Sequence, residues 1–240
     1  MRRAIGALRL GRRIFEPHQL LVMADAGDRA VERVHAVVAE GADIVEVAAG
    51  PGEEDQREEI RQTVPFIAAI RDAYPELVIG VDTGRREVAR EACAAGADLL
   101  NDGRGAGLAE VAVRHGAGLI CSLAVAELAV AAGMDRARII VDLVAGAGGG
   151  TFFSPETIRR LEELIAMGWP VLVSAPGEDT PDDDVPDERL DGSLAATAVY
   201  AWLGARVFRV HRVRETRRAL SMVSAIRGDI PPASALRGLA

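Results

Sequence analysis

The sequence predicts an α/β fold, a (β/α)8 TIM barrel formed as a single domain over residues 1–240. Two observations carry that expectation. Short β-like apolar runs alternate with longer helical periods eight times without interruption. The composition is 49% hydrophobic but only 4% aromatic, so the core is built from Ala, Val, Leu and Ile, the mixture that suits parallel strands buried on both faces.

The strand candidates, in order, are Leu20–Ala24, Ile44–Ala48, Leu77–Asp82, Asp98–Leu100, Gly118–Ser122, Arg138–Asp142, Pro170–Ser174 and Val207–His211. Amphipathic segments lie between them at Arg29–Glu40, Gln56–Ala73, Glu87–Ala95, Val125–Gly133, Pro155–Met167, Leu190–Leu203 and Arg214–Arg227. Ser154-Pro155-Glu156 reads as an N-cap, an N1 proline and a first-turn carboxylate placed where the helix dipole favours negative charge. Gly41, Gly96 and Gly168 follow helical runs where a left-handed C′ residue ends a helix. Strands alternating with helices form right-handed parallel units. Eight of them close into a barrel, with a doubly wound open sheet as the alternative, because periodicity does not report closure. The Arg-rich stretch 1–18 is expected to be a flexible N-terminal segment. Pro176–Asp187, with three prolines and six acidic residues, is expected to be a solvated loop.

Charge and cysteine usage exclude several classes. The net charge of −8 repels phosphate backbones, which argues against nucleic acid. No apolar run is long enough for a membrane span. No secretory h-region follows the N-terminal arginines, and Cys93 and Cys121 fit neither a disulfide framework nor a metal spacing. A cytoplasmic location is the resulting expectation. All 28 basic residues are arginine, and the chain has no lysine.

In a barrel the loops after the strands build the binding site, so strand C-termini are the informative positions. Here they carry Asp82 and Thr83, Asn101 and Asp102, Asp142, and Arg209 with His211. Each has a plain structural role open to it. Asp82 could cap the next helix, Asn101-Asp102 could form a turn, Asp142 could bond nearby amides, and His211 could be a satisfied rim histidine. Together on one rim they form a ligand-recognition set. The glycine-rich run Gly146–Gly150 lacks the lysine and hydroxyl of a phosphate-binding loop.

The order and spacing of AEGADIVEVAAGPG, GVDTGRREVAREACAAGADLLND, IIVD, GWPVLV and FRVH resemble the dihydropteroate synthase family from about Leu21 onward. That resemblance implies pterin binding by Asp82, Asn101 and Asp142. It also implies phosphate binding by Arg209 and His211, a homodimer paired through late helices, and a possible magnesium ion. The family's reaction joins a hydroxymethylpterin diphosphate to 4-aminobenzoate with loss of diphosphate.

Much of the family's machinery is nevertheless missing. Met23–Asp28 replaces the first substrate loop, and Ala49-Gly50-Pro51-Gly52 replaces the second without its Thr and Arg. Ala175-Pro176-Gly177-Glu178 stands where a Ser-Arg-Lys run is expected, Gly149 replaces another lysine, and Ser122 replaces a histidine. Arg104 is the one new cation nominated for the mouth, with a solvent-facing loop position as its plainer role.

The expectation is therefore a dihydropteroate synthase-like protein that keeps a partial pterin pocket, with synthase activity reduced or lost. It would bind a pterin or folate-type small molecule. The alternatives are an active dihydropteroate synthase of folate biosynthesis, a metal-assisted chemistry using Asp82, Asp102, Asp142 and His211, and a partner-binding subunit. No residue is assigned as catalytic, and no metal ligand is assigned.

Overall fold

A computed structural model describes residues 5–27, 29–49, 55–103, 105–145, 154–174 and 187–230. The expected solvated loop Pro176–Asp187 lies outside these except for Asp187, and so do Arg104 and Gly146–Gly150.

Ten strands and eight helices occur among these residues. The strands are β1 (Leu8–Leu10), β2 (Arg13–Phe15), β3 (Leu21–Asp25), β4 (Ile44–Ala48), β5 (Val78–Asp82), β6 (Leu99–Asn101), β7 (Gly118–Cys121), β8 (Ile139–Asp142), β9 (Val171–Ser174) and β10 (Val207–Val210). The helices are α1 (Val31–Glu40), α2 (Gln56–Ala73), α3 (Arg86–Ala95), α4 (Ala109–His115), α5 (Leu123–Ala131), α6 (Pro155–Ala166), α7 (Asp187–Leu203) and α8 (Val213–Arg227). Strands β3 to β10 pair in parallel, and β10 closes onto β3. This is a closed (β/α)8 barrel, and the open sheet is excluded. Among the described residues no helix is long and apolar enough to cross a membrane.

The local signals read from the sequence hold where they can be checked. Ser154 accepts a bond from the Thr157 amide at 3.1 Å at the start of α6. Gly41 and Gly96 end α1 and α3 in the left-handed region, at φ 105° and 117°. Both open the same tripeptide, Gly-Ala-Asp, and the same anchor follows. Asp43 accepts the Val22 amide at 2.9 Å and pairs with Arg217, which also bonds the Gly41 carbonyl. Asp98 accepts the Ile79 amide at 3.1 Å and pairs with Arg71, which also bonds the Gly96 carbonyl. The bottoms of β4 and β6 are thereby fixed to their neighbours in the same way.

Residues 5–18 depart from the flexible segment expected there. Rather than a flexible tail throughout, Leu8–Leu10 and Arg13–Phe15 pair antiparallel and plug the N-terminal end of the barrel. Leu8, Leu10 and Phe15 are fully buried against Leu21, Met23, Ile44, Val78, Leu99, Ile120, Ile140, Leu172 and Val207. Each such side chain contributes about 1.5–3 kcal/mol of apolar burial. Leu10 reaches so deep that a Cβ on Gly118 would lie 2.6 Å from its Cδ2. Arg206, itself buried, donates to the carbonyls of Gly6, Phe15 and Glu16 at 2.8, 2.8 and 2.6 Å. Two three-residue strands interleaved with arginines present too short an alternation for a period-based reading.

Candidate functional site: a polar layer at the barrel mouth

Inward and outward residues alternate along each barrel strand. The inward set at the bottom is apolar, as the plug contacts demonstrate. Following the same alternation upward puts Asp25, Glu46, Asp82, Asn101, Asp142, Ser174 and Arg209 on the interior side of their strands. In a (β/α)8 barrel, interior layers hold four side chains from alternate strands, because each step of two strands climbs two residues. The register applies that rule here. Glu46 pairs through Gly80 to Leu99, and two residues on is Asn101. Asn101 leads through Ile120 to Ile140, then Asp142. Asp142 leads through Leu172 to Val207, then Arg209, and Arg209 leads through Met23 to Ile44, then back to Glu46. Glu46, Asn101, Asp142 and Arg209 thus form one closed layer.

Contacts bear this out. Asn101 Nδ2 donates to Glu46 Oε1 at 2.9 Å. Arg209 Nη2 donates to the same oxygen at 3.2 Å, and Arg209 Nε lies 3.1 Å from Glu46 Oε2. Asn101 Oδ1 accepts the Gly103 amide at 3.1 Å, so its amide orientation is set from both ends. Glu46 is buried, and that burial raises its carboxyl to about 7. Arg209 and the Asn101 bond oppose the rise, while the charges of Asp82 and Asp25 add to it. Glu46 was not singled out in the sequence. The signal was a charged residue inside the apolar run Ile44–Ala48, which costs free energy unless partnered.

The nominated residues divide by what holds them. Asp82 is half-buried at the top of β5. The next helix has Arg85, not Asp82, at its N-cap position. Its loop is clasped instead by Thr83, which donates to buried Glu59 at 2.9 Å, and by the Arg85–Glu59 ion pair. Asp142 Oδ1 accepts the Val144 and Ala145 amides at 2.9 and 3.3 Å, which orients the carboxylate while occupying one oxygen. His211 lies at the rim immediately after β10, half-buried. Ser122 caps α5 through the Val125 amide.

Asp102 is spoken for. Its carboxylate accepts the Ala106 and Leu108 amides and shapes the loop after β6. The metal-assisted chemistry that grouped it with Asp82, Asp142 and His211 loses that member to backbone bonding. Among the described residues no group of three or more His, Cys, Asp or Glu side chains could hold a metal ion.

A closed parallel barrel with carboxylates, an amide and a guanidinium in one layer at its C-terminal mouth defines a (β/α)8 barrel with a polar mouth. The family is more particular. Residues 21–124 and 120–211 match the model for pterin binding enzymes, and the chain belongs to that family. It is similar to a Mycobacterium leprae (strain TN) protein named inactive dihydropteroate synthase 2, with 43% identity over 86% of this chain and 85% of the relative. A solved Mycobacterium tuberculosis structure is 40% identical and superposes with a TM-score of 0.79, covering 95% of this chain and 100% of the other. A Burkholderia cenocepacia dihydropteroate synthase solved with 7,8-dihydropteroate is 25% identical, with a TM-score of 0.77 over 93% and 97% of the two chains.

Proposed function

We propose that this chain is a dihydropteroate synthase-like protein that retains a partial pterin pocket and has lost or reduced the synthase reaction. The observation that carries this reading is the layer of Glu46, Asn101, Asp142 and Arg209, with Asp82 beside it, in a chain without lysine. A pterin presents N–H donors and ring acceptors along one edge. Asp82, Asn101 and Asp142 supply the complementary acceptors and donors, with bonds to carboxylate worth about 1.5–3 kcal/mol each. The name of the Mycobacterium leprae relative, inactive dihydropteroate synthase 2, supports the loss of turnover, and the 7,8-dihydropteroate complex of the Burkholderia cenocepacia relative supports the ligand class. Diphosphate departure needs cations where charge develops. Arg209, assigned with His211 to the phosphate by resemblance, is engaged by Glu46.

The test is calorimetry with 6-hydroxymethylpterin at millimolar concentration beside a diphosphate-release assay with the two family substrates. Pterin heat that vanishes in Asp82→Ala, with no diphosphate released, is the expected outcome. Turnover abolished by Asp82→Ala would instead establish an active synthase.

The same reading includes a homodimer in the cytoplasm. Helices α7 and α8 pack side by side and expose Val199 and Trp202 on one and Met222 and Ile226 on the other. An apolar face of that kind on adjacent late helices suits a second copy of the chain.

A further inference from the structure

We propose that the Glu46–Arg209 pair makes this mouth selective for an uncharged heterocycle over the same heterocycle carrying a diphosphate. The proposal rests on the pterin reading above and deepens it by naming which form of the ligand is taken. Arg209 is the one guanidinium in the polar layer, and both its Nε and Nη2 face Glu46 at 3.1 and 3.2 Å. A guanidinium already facing a carboxylate across its fork offers an incoming anion little net charge.

What surrounds the pair sharpens the effect. Asp25 lies level with Glu46 across the β3–β4 register, Asp82 is near enough to act on Glu46's ionisation, and Asp142 completes the layer. Those carboxylates repel a diphosphate. His211 lies at the rim, and arginines of the adjoining loops are engaged elsewhere: Arg29 donates to Gln62, Arg85 pairs with Glu59, and Arg160 donates to the Ala145 carbonyl. Among residues 50–54, 104, 146–153 and 175–186 the one basic residue is Arg104.

An uncharged heterocycle meets the opposite situation. Its recognition depends on directed hydrogen bonds, and Glu46 helps there by holding the Asn101 amide in one orientation together with the Gly103 amide. One carboxylate therefore does two jobs. It orients the amide for the ring and cancels the cation for the phosphate. Glu46 is a positioning and specificity residue, and nothing requires it to touch the reacting atoms.

The experiment is titration calorimetry on the full chain at pH 8, where Glu46 is ionised, with 6-hydroxymethylpterin and with its diphosphate, for the wild type, Glu46→Gln, and Glu46→Gln combined with Arg209→Gln. The wild type is expected to favour the uncharged pterin by roughly tenfold to a hundredfold, the span of one or two charged contacts. Glu46→Gln should close that gap by about tenfold through tighter diphosphate binding, and removing Arg209 as well should reopen it. Equal or tighter binding of the diphosphate by the wild type overturns the proposal without needing any variant to fold, and leaves the pterin reading standing. An unchanged ratio in a folded Glu46→Gln also overturns it. If the wild type binds neither compound, the pterin reading itself falls and takes this one with it.

Discussion

Glu46 and Asn101 stand two strands apart on β4 and β6, yet Asn101 Nδ2 donates to Glu46 Oε1 at 2.9 Å across the barrel interior. Each lies three residues after the aspartate of a Gly-Ala-Asp anchor, Asp43 for one and Asp98 for the other. Because both anchors bond a neighbouring strand and an arginine, the two strands begin from equivalent footings. Two equal footings and the climb of two residues per two strands bring the side chains to one level.

Glu46 gives the fold a pH dependence. Its carboxyl is raised to about 7 in the folded chain, above the value of an unfolded glutamate, so the folded state holds the extra proton. Stability from this group is full below pH 4 and declines as pH rises to about 7, where the ionised form becomes dominant. Glu46→Gln should flatten that decline and be more stable than wild type at pH 8 by on the order of 1–3 kcal/mol, with little difference at pH 4. Urea melts at the two pH values measure this. A wild type that gains stability between pH 5 and 7, with the gain absent in the variant, would contradict the assignment.

The N-terminal plug should be integral to the barrel. Arg206→Ala leaves the Gly6, Phe15 and Glu16 carbonyls without their buried donor, and should cost at least about 3 kcal/mol in chemical denaturation. A loss below about 1 kcal/mol would mean that water replaces the guanidinium at no great cost.

Gly118→Ala tests the depth of the same plug. The added Cβ would fall 2.6 Å from Leu10 Cδ2, 3.0 Å from Leu99 Cδ1 and 3.1 Å from the Arg138 carbonyl oxygen. One of these contacts is backbone, so relief is limited, and the expected cost is about 1–3 kcal/mol. Pairing the substitution with Leu10→Ala should recover part of that cost, read as a non-additive double-mutant cycle in thermal melts.

Both cysteines should be unreactive. Burial pushes the Cys93 and Cys121 thiols up to about 12, with Asp98 adding to the first and Asp102 and Asp142 to the second. Thiolate at pH 8 should fall by roughly a thousandfold relative to a free cysteine. Alkylation by iodoacetamide is expected to be negligible in the folded chain and rapid in guanidinium chloride. Fast labelling of either residue under native conditions would show that its strand or helix opens readily.

The late-helix face predicts the assembly state. Trp202→Glu puts a charge on the helix that also exposes Val199, beside the helix that exposes Met222 and Ile226, and should convert a dimer seen by light scattering to a monomer at micromolar concentration. A wild type that is monomeric under the same conditions would remove the homodimer from the reading.

The linear chain determined a great deal by itself. Eight changes of apolar period specify the order of strands and helices, because a parallel strand buried on both faces and an amphipathic helix need different repeats. Asp82, Asn101, Asp142 and Arg209 were legible as strand-end residues for the same reason. Only the tertiary structure decided which of them meet. Glu46 and Arg209 are 163 positions apart, and their contact exists because closure carries β10 back to β3 and the strands climb as they go round. The same closure turned Leu8, Leu10 and Phe15 from an unremarkable arginine-flanked stretch into the floor of the barrel, since an open apolar end must be covered before the interior can stay dry.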